Sequence, residues 1–145
     1  TRLIGGKTDI VMMLNGAIAG LVGITAEPLT PGQITAMFIG SIGAIIMYFG
    51  TKMLESYGLD DVVGAIPVHM FAGIFGTLVV PLTNPDTSFG TQFIGTASVC
   101  IFSFGLSWAT FTILKSTVGL RISKAAEKLG TDKAEVGVTA YSIRD

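Results

Sequence analysis

One residue in this 145-residue chain can both take and give a proton near neutral pH: His69, its only histidine. Imidazole has an ordinary pKa of about 6.5 and two different ring nitrogens, so it can donate one hydrogen bond while accepting another. His69 is the eighth residue of a charge-free stretch, Val62 to Pro85, and its neighbours are Pro67, Val68, Met70 and Phe71. Burial in such surroundings favours the neutral ring. A neutral imidazole can pass on a hydrogen bond or a proton without placing a full charge in an apolar medium. The competing reading is a histidine that bonds a neighbouring helix and only assists packing. Ionisable groups inside membrane segments mark pathways by default, so the pathway reading is the sharper one.

The residues around it narrow the chemistry. Cys100 is the single cysteine and lies in a different apolar stretch, with no third ligand beside the pair. No metal, no cofactor and no internal disulfide is expected. Two positions before the histidine, Pro67 removes an amide donor and clashes with the carbonyl of Val63. Such a break is tolerated in a membrane span where a neighbour or a water-lined cavity satisfies the freed group. It fits a helix opened locally at a site, and equally a kink in the first turns after Asp60-Asp61. That acidic pair stands where a helix should begin, so Asp60 and Asp61 read as structural caps.

The elements that must position these residues follow from composition. Only 13% of the chain is charged and 50% is hydrophobic, whereas soluble domains carry roughly 25% charge. Nine basic residues against ten acidic ones exclude a nucleic-acid footprint. The charges bound four uncharged windows, Ile10–Ala26, Pro28–Thr51, Val62–Pro85 and Thr87–Leu114, of 17, 24, 24 and 28 residues. About 20 apolar residues cross a hydrocarbon core as a helix, and membrane strands would read as short alternating segments. The expectation is an all-α, polytopic membrane helix bundle with spans at about 10–26, 31–54, 62–81 and 90–117. The transmembrane region is then 1–118, followed by a tail, 119–145.

Breakers separate the spans: Pro28 and Pro31, then Gly58, then the stretch from Pro81 to Gly90. Threaded up and down, the four spans put all nine Lys and Arg on one side. By the positive-inside rule that side is cytoplasmic, with both ends of the chain inside. Small residues crowd the spans, among them Gly16, Ala19, Gly20, Gly23, Gly40, Gly43, Gly73 and Gly76. Helices in lipid associate through close backbone approach, so these are first of all packing positions. Hydroxyls of the fourth window should bond back along their own helix or across to another. In the tail, Ile122, Ala125, Ala126 and Leu129 have helical spacing, Gly130 closes the turn, and Asp132 with Glu135 could form a capping box.

Three blocks carry a family likeness. Asn15-Gly16-Ala17-Ile18-Ala19-Gly20-Leu21-Val22-Gly23-Ile24-Thr25, then Asp60-Asp61-Val62-Val63-Gly64-Ala65-Ile66-Pro67-Val68-His69 with Gly73-Ile74-Phe75-Gly76-Thr77, then Val118-Gly119-Leu120-Arg121-Ile122 with Ala140-Tyr141, resemble the ammonium transporter (Amt/Rh) family, on its Amt branch. The resemblance implies a subunit of eleven spans, assembled as a homotrimer with one pore in each subunit, in the cell (inner) membrane. The four windows would be the last four spans. It implies that His69 is the second of two pore histidines and that Ala65 and Ile18 line the pore. Asp61, Pro67 and Gly73 would be structural residues near the site. The first histidine, the aromatic gate and the outer recruitment site would lie in spans not included in this stretch. The implied activity is transport, not enzymatic: ammonium binds outside, loses a proton at the constriction, and crosses as ammonia. In the tail, Arg121, Asp132, Gly137 and Tyr141 would serve coupling between subunits and regulation by a PII-type signalling protein. There the chain departs from the common family wording, with Gly130-Thr131-Asp132 for Gly-Leu-Asp and Val136-Gly137 for His-Gly. An ammonium-sensing membrane domain, and a small four-helix membrane protein in which His69 merely packs, are the other readings.

Overall fold

Aspartate at an N-cap, prolines after the last turn and glycines at the crossings shape the first helices of the protein, whose computed structural model describes residues 6–140. The chain divides into two compact units after Val99.

In the first unit, α1 (Ile10–Thr25) begins where Asp9 accepts the Met12 amide on its carboxylate at 2.9 Å. It ends before Pro28 and Pro31, which cannot continue it. α2 (Gln33–Ser56) closes with Gly58 in the left-handed region, φ 67°, as the Leu59 amide reaches back to the Leu54 carbonyl at 3.0 Å. The third helix is composite. A π-helical segment, Ile66–Phe71, runs into α3 (Ala72–Val79) and a final 3-10 turn, Val80–Leu82.

Glycines set how these helices meet. Gly20 and Gly40 face one another, and a Cβ on Gly20 would stand 3.1 Å from the Gly40 carbonyl oxygen. Gly43 lies against Ala19, and Gly76 against the backbone of Gly23. The order of these pairs fixes direction: α1 and α2 run antiparallel, while α1 and the third helix run parallel, Asn15 meeting Gly64 and Val22 meeting Gly73. Where the three converge, Ala19, Met47, Val68 and Ala72 form the buried core, with Met12 and Val22 against it. At the far end of α1, the Asn84 amide donates to the Glu27 carboxylate at 2.9 Å, tying together the loops after α1 and after the third helix.

The sequence-based boundaries shift at the third span. The helix begins at Ile66 rather than at 62, because Gly64 turns the chain at φ 75° and Asp61 caps the Ala65 and Ile66 amides. It also passes Pro81, which sits in the closing 3-10 turn, Val80–Leu82, just before the helix ends.

α4 (Phe89–Thr117) has 29 residues, none of them buried. At 1.5 Å per residue this gives a length of about 43 Å, more than a hydrocarbon core of about 30 Å. Several of its hydroxyls bond along the helix itself, Ser98 donating to the Ile94 carbonyl, Thr112 to Trp108 and Thr117 to Ile113, whereas the Thr96 hydroxyl oxygen is buried without a partner among the described residues. α4 and α2 are each long and apolar enough to cross a membrane, whereas α1 and the third helix are shorter. Such an all-round apolar helix belongs either in a large core or in lipid.

In the second unit the tail forms α5 (Lys124–Leu129), whose N-cap Ser123 accepts the Ala126 amide at 3.2 Å. A short π-helical turn, Asp132–Val136, comes after it. No strand occurs among the described residues.

Candidate functional site

The site is assembled where the third helix starts. Asp61 accepts the Ala65 amide on one carboxylate oxygen at 2.9 Å and the Ile66 amide on the other at 2.7 Å. Its backbone carbonyl accepts the Gly64 amide at 3.1 Å. One residue thus satisfies three donors that a helix N-terminus would leave open. Pro67 is buried, and with no amide it leaves the Val63 carbonyl without a helical donor. The side-chain amide of Asn15, from α1, donates to that carbonyl at 2.9 Å. Gly64 must be glycine on two counts: its φ is 75°, and a Cβ would stand 2.6 Å from the Asn15 amide nitrogen.

The π-helical segment then decides which way the side chains point. The Ala72 amide bonds the carbonyls of both Pro67 and His69, a shared arrangement that marks the return to α geometry. Val68 and Ala72 face the core, and the Phe71 ring lies over Gly50 of α2, 2.5 Å from where a Cβ would be. His69 and Ala65 are exposed, so the helix turns them away from the three-helix core. Among the described residues none hydrogen-bonds the His69 ring. An extra residue per turn is uncommon and recurs at functional sites.

Ile18 is 43% exposed and lies beside core residue Ala19. With Asn15 meeting Gly64 and Val22 meeting Gly73, the parallel register sets Ile18 at the level of the π-helical segment. Gly73 takes the Val22 side chain at 3.7 Å from its missing Cβ, so it is a packing position between α1 and α3. Asn15, Gly64 and Gly73 thus meet along the seam between α1 and the third helix, with Asp61 and Pro67 shaping its start, while Ile18, Ala65 and His69 are exposed. Asn15 and the π-helical geometry were not foreseen from sequence as parts of it. The signal was present: Pro67 strands a carbonyl, and Asn15 is the one carboxamide in the first window.

The tail residues form a separate arrangement in the second unit. Arg121 donates to Glu127 at 2.7 Å. Asp132 does not head a capping box with Glu135; Thr131 is the cap residue, and the Asp132 carboxylate instead accepts the Ala140 amide at 2.8 Å. The bond closes a loop across eight positions of sequence, within which Gly137 turns the chain at φ 73°. Tyr141 lies outside the described residues.

The Ala140 amide, then that of Lys133, holds the Asp132 carboxyl below the usual carboxylate range. A depressed folded-state pKa means that the ionised form closes the loop. The contribution is present above the ordinary aspartate pKa of about 3.9 and is lost as pH falls through the lowered value. An NMR titration following the Ala140 amide in detergent should give a midpoint below that ordinary value. A midpoint at or above it would contradict the loop closure.

Stacked apolar helices, one broken beside a lone histidine, define a polytopic helical membrane protein. The Ammonium Transporter Family matches residues 1–141 of the sequence, and the chain belongs to that family. It is 38% identical over 97% of its length to ammonium transporter Amt2 of Archaeoglobus fulgidus, covering 34% of that protein. A putative ammonium transporter of Synechocystis is 35% identical over 94% of the chain, with 31% of the relative covered. Amt2 of Methanocaldococcus jannaschii is 33% identical over 96% of the chain, with 35% covered. The chain spans about a third of the length of these curated relatives. They are named as transporters and not as enzymes.

Proposed function

We propose that this chain forms the carboxyl-terminal part of a membrane subunit that conducts ammonium or ammonia, with His69 at the centre of an apolar path. The observation that carries the reading is the placement of His69. It is the sole histidine, it lies in an apolar helix, and a π-helical segment turns it out of the core beside Ala65. Relatives named as ammonium transporters supply the substrate class.

The chemistry comes from solvation. Carrying a bare cation through hydrocarbon costs several kcal/mol or more, because nothing there replaces its water. A neutral amine loses far less, and an imidazole lets it keep one hydrogen bond on the way. Ala65 leaves room next to the ring, and Ile18 at the same level keeps the wall apolar. Both belong in the proposed lining.

The same reading has four spans at about 10–26, 31–54, 62–81 and 90–117, and a cytoplasmic tail at 119–145. All nine basic residues then share the cytoplasmic side of the inner membrane. Homotrimer assembly and docking of a PII-type protein on the tail complete it. Arg121, Asp132, Gly137 and Tyr141 are the tail residues assigned to that regulation. The loop held by Asp132 supplies an ordered surface there.

The test is rescue. The full-length gene containing this chain, expressed in cells stripped of their own ammonium uptake, should restore growth at low ammonium. Correct insertion without restored growth or uptake would reject the reading.

A further inference from the structure

We infer that Asn15 is a positioning residue for His69, acting through the Val63 carbonyl to fix where the histidine-bearing helix begins and how it is wound. The inference rests on the proposed conduction past His69 and goes beyond it, since the Asn15 side chain bonds the Val63 carbonyl rather than the ring. Three features converge on its amide group. Pro67 denies Val63 its helical donor, and Asn15 supplies a replacement at 2.9 Å from another helix. Gly64 has no side chain where one would collide with the same amide at 2.6 Å. Asp61 takes up the Ala65 and Ile66 amides from below, so the turn is pinned on both sides.

This clamp controls angle. The next segment is π-helical from Ile66 to Phe71, and His69 sits inside it. Changing between π and α winding moves the register by one residue, which rotates everything beyond by about 100°. Val68 is in the core and His69 is exposed, so a rotation of that size would exchange the two. Rewinding toward α geometry is opposed at the N-terminal end only if the turn at Val63-Gly64 is held. Asn15 holds it. The apolar packing of Val68, Phe71 and Ala72 then sets the rest.

The experiment is a set of double-variant cycles on the full-length protein in liposomes, read as ammonium conduction per correctly inserted molecule. Asn15→Asp keeps the shape but gives the Val63 carbonyl a carboxylate instead of a donor. It should lower conduction about tenfold, the scale of one lost hydrogen bond at a constrained site. Gly64→Ala, which pushes the amide away from the other side, should produce a loss of the same kind. In a His69→Ala background each should cost less than about twofold, because a clamp that works through His69 has nothing left to position. Losses that add fully to that of His69→Ala would overturn the inference and mark Asn15 as general scaffolding. Wild-type conduction by either single variant would overturn it as well. If Asn15→Asp is not inserted, the Gly64→Ala cycle decides alone. His69→Ala by itself separates the two levels: if it leaves conduction intact, the proposed path fails and the positioning role with it.

Discussion

Replacing His69 with alanine should lower ammonium conduction by roughly ten- to a hundredfold while leaving the protein in the membrane at normal abundance. The reason for the first half is that the ring is the one titratable, two-way hydrogen-bonding group in its apolar stretch. Without it, a passing amine must shed its last partner, at a cost of about 1–3 kcal/mol for an unsatisfied polar group. Each 1.4 kcal/mol or so is a factor of ten in rate. The second half comes from where His69 stands. It is exposed in the first unit, its ring bonds no described residue, and it lies outside the cluster of Ala19, Met47, Val68 and Ala72. Removing it takes nothing from that core. Flux measured in liposomes, normalised to inserted protein, checks both halves together. Unchanged flux would remove His69 from the path, and a loss of inserted protein would return it to a packing role.

The largest effect on folding is expected from a single methyl group. A Cβ on Gly76 would overlap the carbonyl oxygen of Gly23 and stand 2.9 Å from its carbonyl carbon and 3.0 Å from its Cα. All three are backbone atoms of α1, so no side chain can rotate to make room. The helices must move apart, and overpacking of this kind costs about 1–3 kcal/mol or more. In lipid the loss is felt fully, because close contact is what holds the helices together. Gly76→Ala should therefore lower the thermal midpoint in detergent clearly. Gly23→Ala is the internal contrast. Its nearest neighbour would be the Ile39 carbonyl oxygen at 3.6 Å, an ordinary contact, so its midpoint should stay close to wild type. Gly95 and Gly105 on α4 have open space around them and should tolerate alanine too. Equal midpoints for Gly76→Ala and Gly23→Ala would show that the crossing of α1 and α3 has slack to absorb a methyl group.

How far the composition could lead is clear from particular residues. The gaps between charged residues located the long helices, because a helix meant for lipid cannot carry charge along its length. Prolines at 28 and 31 and glycine at 58 marked the breaks, since each acts through its own backbone chemistry. His69 stood out because an ionisable group is rare in such a stretch. The small residues told that helices approach closely, but not which pairs do so. Gly23 with Gly76 and Gly20 with Gly40 are contacts between distant segments, and spacing along one helix cannot name its partner.

The start of the third helix shows the same division at finer scale. A stranded Val63 carbonyl could be deduced from Pro67 alone, as could the need for a cap from Asp60 and Asp61. That the donor is Asn15, 48 positions earlier, depends on α1 lying parallel to the third helix. The π winding at Ile66–Phe71 has no local signature that separates it from α, because the two differ by one residue per turn. It is chosen by the surfaces the segment packs against: Val68 and Ala72 in the core and Phe71 over Gly50. In the tail, likewise, Asp132 spaced three from Glu135 reads as a capping box, yet the Ala140 amide takes the carboxylate once the chain has turned at Gly137. The sequence by itself determined an all-helical membrane chain and its one histidine, since charge, length and residue type are local properties. The direction that histidine faces was decided only by tertiary structure, since it depends on which backbone meets which.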